Sequence, residues 1–236
     1  MRLSKRIYKL AEMVQAGETA ADIGTDHGYV PMLLIKNGIS PKVIMSDISE
    51  GSLSKAIETF KTAQLPADES DFRLGDGLET LDFGETDTVI IAGLGGHTIV
   101  DVLSSDVKKS KSFKRLILQP RKHSGALRYY LYTNGWDITE EVLIKEGKFE
   151  CEIITAAPSE YEYRKEKYPE DDIRWKYPEE MVFANPELSK SRIEWKIGSI
   201  DEQINNLQSS SSEKAGIIRS LERDREYLTN LIKDII

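Results

Sequence analysis

Ala21-Asp22-Ile23-Gly24-Thr25-Asp26-His27-Gly28-Tyr29-Val30-Pro31 sets an acid and two glycines between a short apolar lead-in and an apolar helical run. The small and apolar residues from Thr19 to Ile23 read as a strand, and Val30, Leu33 and Leu34 as the buried side of a helix. Gly24 and Gly28 let the intervening backbone turn tightly and approach a ligand. A strand-to-helix turn of this kind opens an α/β domain and points to a bound nucleoside cofactor.

The spacing decides among cofactors. A dinucleotide site needs G-x-G-x-x-G with the diphosphate on the helix N-terminus. This chain reads Asp-x-Gly-x-x-x-Gly, with Asp26 where a middle glycine would stand, so carboxylates flank the place a diphosphate would occupy. Repulsion argues against a nicotinamide or flavin dinucleotide. S-adenosylmethionine has no phosphate and carries a sulfonium and an ammonium, both of which carboxylates favour.

Further signals follow in order, each at the carboxyl end of an expected strand. Lys42 to Asp47 is a β-like run whose terminal acid is placed to accept both ribose hydroxyls, and Ser49 can cap the next helix in its stead. Phe72 to Leu78 carries Asp76 between Gly75 and Gly77, suited to accepting a hydrogen bond from an adenine amino group. Thr88 to Ala92 is a buried strand that runs into Gly93-Leu94-Gly95-Gly96-His97, where methyltransferases of this class keep the loop facing the methyl group. The expected cofactor set is Asp22, Gly24, Thr25, Asp26, His27, Gly28, Asp47, Ile48, Asp76, Gly77, Ala92 and Gly93. His27, His97 and His123 do not cluster along the chain, and His97 enters only through its neighbours.

A length of 236 residues accommodates one α/β domain and an appendage. The single cysteine, Cys151, excludes an internal disulfide and a cysteine-rich zinc site. No apolar run approaches a membrane span, and Met1 to Arg6 reads as a charged amphipathic helix, not a signal peptide, so a reducing cytoplasm is the expected compartment. Net charge is -8, yet Lys108, Lys109, Lys111, Lys114, Arg115, Arg121, Lys122 and Arg128 stand between Val107 and Tyr130 without one Asp or Glu. A second basic group, Arg2, Lys5, Arg6 and Lys9, opens the chain. A positive face for nucleic acid is compatible with the acidic total, a solvated lysine-rich loop being the alternative for Lys108 to Lys111.

Strands near Thr19–Ile23, Val43–Ser46, Asp71–Leu74, Thr88–Ala92 and Arg115–Leu118 alternate with helical segments near Val30–Asn37, Glu50–Ala63, Thr98–Ser104 and Gly125–Asn134, behind a helix carrying Leu3, Ile7, Leu10, Ala11 and Val14. Trp136 to Ala156 reads as a hairpin that adds one antiparallel strand to a mostly parallel, Rossmann-like sheet. Pro158 to Pro186 reads as an irregular connector whose tyrosines and tryptophan pack against the flanking parts. Ile193, Ile197, Ile200, Ile204 and Leu207, then Ile217, Leu221, Leu228, Leu231 and Ile235, form two apolar seams separated by Gln208 to Ser212, which predicts a helical hairpin, a coiled coil. The expected division is 1–157, 158–186 and 187–236.

These motifs, with Leu3 to Arg6 and Leu116-Ile117-Leu118-Gln119-Pro120, resemble the bacterial tRNA adenine-N1 methyltransferases that act on tRNA position 22, the TrmK family. Leu94 stands where that family usually has Met, Arg121 where it has Asn, and Ile48-Ser49-Glu50-Gly51-Ser52 where it shows Asn and Gly-Pro. The resemblance implies a class I methyltransferase with a C-terminal helical hairpin, S-adenosylmethionine as cofactor and tRNA as partner, with no metal, membrane or obligate protein partner. Adenine N1 already has a lone pair, so transfer to it needs alignment before it needs a base. N1 lies on the Watson–Crick edge, so the nucleotide must leave its stack. On this reading Asp22 to Gly28 hold the methionine end, while Gly93, Leu94, Gly95, Gly96, His97, Gln119 and Pro120 face the target base. Arg2, Lys5, Arg6, Lys9, Arg121, Lys122 and Arg128 would meet RNA. A related methyltransferase for another RNA or a small molecule, or a noncatalytic RNA-binding adaptor that keeps the fold, are the alternatives.

Overall fold

The computed structural model describes residues 3–208 and 214–235. In chain order the elements are α1 (Lys5–Glu12), β1 (Ala20–Ile23), α2 (Tyr29–Lys36), β2 (Val43–Asp47), α3 (Glu50–Ala63), β3 (Phe72–Leu74), β4 (Thr88–Leu94), α4 (Gly96–Ser105), α5 (Val107–Ser110), β5 (Arg115–Pro120), α6 (Ser124–Thr133), β6 (Trp136–Glu146), β7 (Phe149–Pro158), α7 (Ile173–Lys176), α8 (Glu179–Ala184), α9 (Pro186–Gln208) and α10 (Ala215–Ile235). Among the described residues seven strands form one sheet in the order β3-β2-β1-β4-β5-β7-β6. β1 to β5 pair in parallel, and β7 runs antiparallel to both of its neighbours. This is the class I methyltransferase arrangement that the sequence predicts.

Both faces of the sheet are apolar, as parallel strands require when helices cover them. Ala21, Ile44, Val89, Ile91, Leu116 and Leu118 face α4 and α6, meeting Ile99, Leu103, Leu127 and Leu131. Their alternates Ala20, Val43, Ile90 and Ile117 pack on Leu10 and Ala11 of α1 and on Val30, Leu33 and Leu34 of α2. The chain leaves β1 in one direction to build β2 and β3, then returns to place β4 on the other side of β1. That reversal opens a crevice at the carboxyl ends of β1 and β4, where ligands bind in open α/β sheets.

Three expectations change. β4 continues through Gly93 to Leu94, with a register shift between Ala92 and Leu94, and α4 starts at Gly96, so the expected Gly93–His97 loop is a bulged strand end followed directly by a helix. The irregular connector contains α7 and α8, whose four and six residues are too few to show a helical period. Tyr177, Met181 and Val182 nevertheless join Ile193, Ile200, Ile204, Leu228 and Leu231 in a third apolar cluster beneath α9 and α10. Ile217 is exposed and Ile218 faces the seam instead. Ser209 to Ser212 of the predicted break lie outside the described residues.

A buried ionic network ties the C-terminal helices to the sheet. Arg128 of α6 reaches Glu141 of β6 and Glu152 of β7, each at 2.6 Å, and donates to the Trp175 carbonyl at 3.1 Å. Arg192 of α9 pairs with the other oxygen of Glu152. Burial opposes ionisation of Glu152, but the two guanidiniums prevail and hold its carboxyl at about 2. Arg128 is thereby removed from the expected RNA face, because its side chain is consumed inside the protein.

Candidate active site

The carboxyl ends of β1 and β4, together with α1, enclose a cavity of about 620 Å³. Asp22, at the tip of β1, is buried, and its Oδ2 accepts a hydrogen bond from the Thr25 hydroxyl at 2.8 Å. Burial raises its pKa from 3.8 to about 6; the Thr25 hydrogen bond pulls the other way, Asp47 adds to the rise and Arg6 opposes it. A buried carboxylate so poorly compensated is suited to a cationic ligand.

The turn after Asp22 is shaped by backbone that side chains disfavour. Gly24, Asp26 and Gly28 have φ of 75°, 44° and 65°. A Cβ on Gly28 would lie 3.0 Å from Cβ of Ala56 in α3, so close packing of α2 on α3 demands glycine as much as the dihedral does. Gly24 and Thr25 donate their amides to the Ser46 carbonyl, which clips the turn to β2. Asp26 pairs with Lys55 at 2.9 Å, which depresses its pKa, and the His27 ring stacks on Tyr29 with centroids 5.0 Å apart.

Asp47, at the tip of β2, accepts from the backbone N–H groups of Ser49 at 2.8 Å and Asp26 at 3.3 Å. Ser49 caps α3 by accepting from the Ser52 amide, as expected. Ile48 and Asp76 are exposed, and Gly77 carries a φ of 49°. Asp47, Ile48, Asp76 and Gly77 sit at the adjoining tips of β2 and β3 and do not border the 620 Å³ cavity, whereas Asp22, Gly24, Thr25, Asp26, His27, Ala92, Gly93 and Leu94 do. The cofactor residues read from the sequence thus divide between an enclosed end and an open edge.

At the tips of β4 and β5 two turns are stitched together. Gly96 donates its amide to the Lys122 carbonyl at 2.8 Å and Arg121 its amide to the Leu94 carbonyl at 2.7 Å. A Cβ on Gly96 would meet the His123 carbonyl oxygen at 2.2 Å, so only glycine permits this approach. The stitching brings the rings of His97 and His123 within 4.5 Å, although nothing in their spacing along the chain foreshadows the pairing. His123 has a φ of 59°, and desolvation together with His97 and Lys122 lowers its pKa.

Gln119 is buried at the end of β5, and its amide oxygen accepts two hydrogen bonds. Oε1 accepts from the Gly93 N–H at 3.2 Å and from Arg6 Nη1 at 3.0 Å, while Nε2 donates to the Pro120 carbonyl at 3.0 Å. It braces the bulge, and its acceptor oxygen is already occupied. Arg6 points inward from α1 to Gln119 and to Glu146, 3.5 Å away, so it lines the site and not an outer surface. Beside the first cavity lies a second of about 350 Å³, bordered by Gln119, Pro120 and the β6–β7 hairpin; Arg6, Arg121 and Glu146 border both. Sequence reasoning missed Glu146 and Phe149. The one signal for them was length, since the hairpin strands are far longer than β5 and must project past it.

The remaining basic residues separate by position. Lys5, Arg121 and Lys122 are exposed, and Lys9 pairs with Glu12 at 3.8 Å. Arg2 lies outside the described residues. The run from Lys108 to Arg115 leads into the N-terminal end of β5, opposite the site; there Lys114 pairs with Asp87 at 2.6 Å and Arg115 with Glu18 at 3.4 Å. Among the described residues no group of three His, Cys, Asp or Glu side chains could hold a metal, and no helix is long and apolar enough to cross a membrane.

A crevice at the sheet's switch point, an acid on β1 and a glycine bulge on β4 define a cofactor-binding transferase architecture. The methyltransferase domain family matches residues 3–154, and the chain belongs to that family. A Bacillus subtilis relative, tRNA (adenine(22)-N(1))-methyltransferase, is 35% identical to this chain over 156 residues, 66% of this chain. That alignment spans 65% of the relative's length, just under two thirds. An uncharacterized protein from Listeria monocytogenes superimposes with a TM-score of 0.85 at 27% identity, over 98% of this chain and 100% of that one. M. capricolum TrmK, solved in complex with S-adenosyl-homocysteine, has the same fold, with a TM-score of 0.79 at 23% identity over 98% of this chain and 100% of that one.

Proposed function

We propose that this protein transfers the methyl group of S-adenosylmethionine to N1 of the adenosine at position 22 of tRNA. The observation that carries the reading is Asp22: a buried, under-compensated carboxylate at the tip of β1, facing a cavity that ends at the Gly93 bulge. An ammonium there would supply the missing positive charge, and Asp47 and Asp76 on the neighbouring strand tips would take the ribose and adenine. The name of the Bacillus subtilis relative and the ligand of the M. capricolum structure support the same cofactor and reaction.

When bound, the cofactor supplies an electrophilic methyl on a sulfonium. The protein's work is to hold the methionine end against Asp22 and Gly24, to keep water from the Gly93–Gly96 segment, and to present N1 in line with the methyl. Lys5, Arg121 and Lys122 form the exposed basic rim that would meet the tRNA backbone. The division into a cofactor-binding unit (1–157), a connector (158–186) and a helical hairpin (187–236) belongs to this proposal, as does a cytoplasmic setting, where tRNA is found. Incubation of unmodified tRNA with the protein and S-adenosylmethionine, followed by mass-spectrometric mapping, should place one methyl group on adenosine 22. Methylation elsewhere, or of a small molecule alone, would refute the reading.

A further inference from the structure

β7 runs antiparallel to β5, with Leu118 opposite Ile154, so the start of β7 rises past the carboxyl tip of β5. The hairpin end therefore overhangs the site, carrying Glu146 on β6 and Phe149 on β7. Glu146 borders both cavities, the larger with Asp22 and Gly93 and the smaller with Gln119 and Pro120. Its Oε2 is buried and among the described residues takes part in no hydrogen bond; its ion-pair neighbour, Arg6 Nε, stands at 3.5 Å. Phe149, 75% exposed, forms part of the wall of the smaller cavity.

We propose that the smaller cavity receives the extruded target adenine and that Glu146 reads it by accepting a hydrogen bond from the N6 amino group. The proposal rests on methyl transfer to adenine N1. N6 lies next to N1 on the Watson–Crick edge, so an acceptor at N6 leaves N1 free and turns it toward the larger cavity. The N1 lone pair forms the new bond to the methyl carbon, the carbon–sulfur bond breaks with its electron pair on sulfur, and the positive charge passes from the sulfonium to the ring. N6 shares that charge and becomes a stronger donor, so the hydrogen bond to Glu146 tightens between ground and transition state. Guanine would set a carbonyl oxygen against the same carboxylate, which rejects it by leaving two acceptors face to face. Gln119 cannot substitute, because its amide is already engaged by Gly93, Arg6 and Pro120. Arg6 holds the carboxylate in place, and Phe149 offers a ring on which the base can stack.

The test uses two tRNA transcripts, one with adenosine at position 22 and one with nebularine, which lacks the N6 amino group. kcat/KM for each is measured with wild type, E146A and E146Q at saturating S-adenosylmethionine. Both transcripts meet the same protein preparation, so partial unfolding of a variant scales both rates alike, and the intrinsic difference in N1 nucleophilicity cancels between proteins. E146A should lose about ten- to hundredfold of the wild-type preference for adenosine, the size of one hydrogen bond to a charged group. E146Q keeps an acceptor and should lose less. An unchanged preference in both variants overturns the role of Glu146 alone, whereas failure of wild type to methylate either transcript overturns the proposed reaction and this inference with it.

Discussion

Replacing Asp22 by Asn tests the cation site through pH. The folded pKa of about 6 lies above the ordinary 3.8, so the native state binds this proton more tightly than the unfolded chain does. Ionising Asp22 in the apo protein therefore costs stability, with no cost below about pH 4 and the full cost above about pH 6. The difference between those two values corresponds to about 3 kcal/mol. A bound ammonium reverses the preference, because it favours the ionised form. Affinity for S-adenosylmethionine should be full near pH 7 and weaken about tenfold by pH 5, the ratio of ionised Asp22 at the two pH values for a group titrating near 6. Isothermal titration calorimetry at pH 7 and pH 5 measures this directly. Asp22→Asn should bind weakly and nearly independently of pH, and its apo form should be more stable than wild type at pH 7 in thermal melts. A wild-type affinity that stays flat between pH 5 and pH 7 would refute the assignment of Asp22 to a cationic ligand.

Asp47→Ala should weaken cofactor binding by about 1.5–3 kcal/mol per missing charge-assisted hydrogen bond before water compensates, with the fold retained; calorimetry showing unchanged affinity in a folded variant removes Asp47 from the site. Substituting Arg121 and Lys122 by Ala should lower tRNA affinity and flatten its salt dependence by about 0.7–0.9 in logarithmic slope for each phosphate no longer neutralised, whereas the same change at Lys108 and Lys111, on the far end of the sheet, should leave both unchanged in filter-binding titrations. Arg128→Ala strands Glu141 in the interior, leaves Glu152 with Arg192 as its remaining guanidinium, and should destabilise the protein by about 3–5 kcal/mol in denaturant melts, an effect that a surface RNA contact would not produce. Removing residues 187–236 uncovers Tyr177, Met181 and Val182 and takes Arg192 from Glu152, so the truncated chain should melt well below the full-length protein.

The sheet and the crevice at its switch point were legible in the sequence because their signals are local. An acid at the end of an apolar run, a glycine within four residues of it and the onset of a helical period all follow from the dihedral needs of one turn, as at Asp22, Gly24 and Gly28. Repeated four times in order, such turns also determine the topology, since parallel strands joined by helices have few ways to pack. What a long side chain meets across the fold is not local, and there the tertiary structure decided. Arg128 resembles its basic neighbours Arg121 and Lys122 in sequence, yet it lies on the inner side of α6, where two glutamates from the hairpin close over it. Arg6 reads as one of the basic quartet that opens the chain, but the packing of α1 against the sheet turns it to Gln119, more than a hundred residues away. His97 and His123 meet only because Gly96 allows two turns to touch, and Glu146 reaches the site only because the antiparallel register of β7 on β5 carries the hairpin past the strand tips. A period of 2 or 3.6 residues tells which face of its own element a side chain occupies; the partner on that face depends on how elements distant in sequence are brought together.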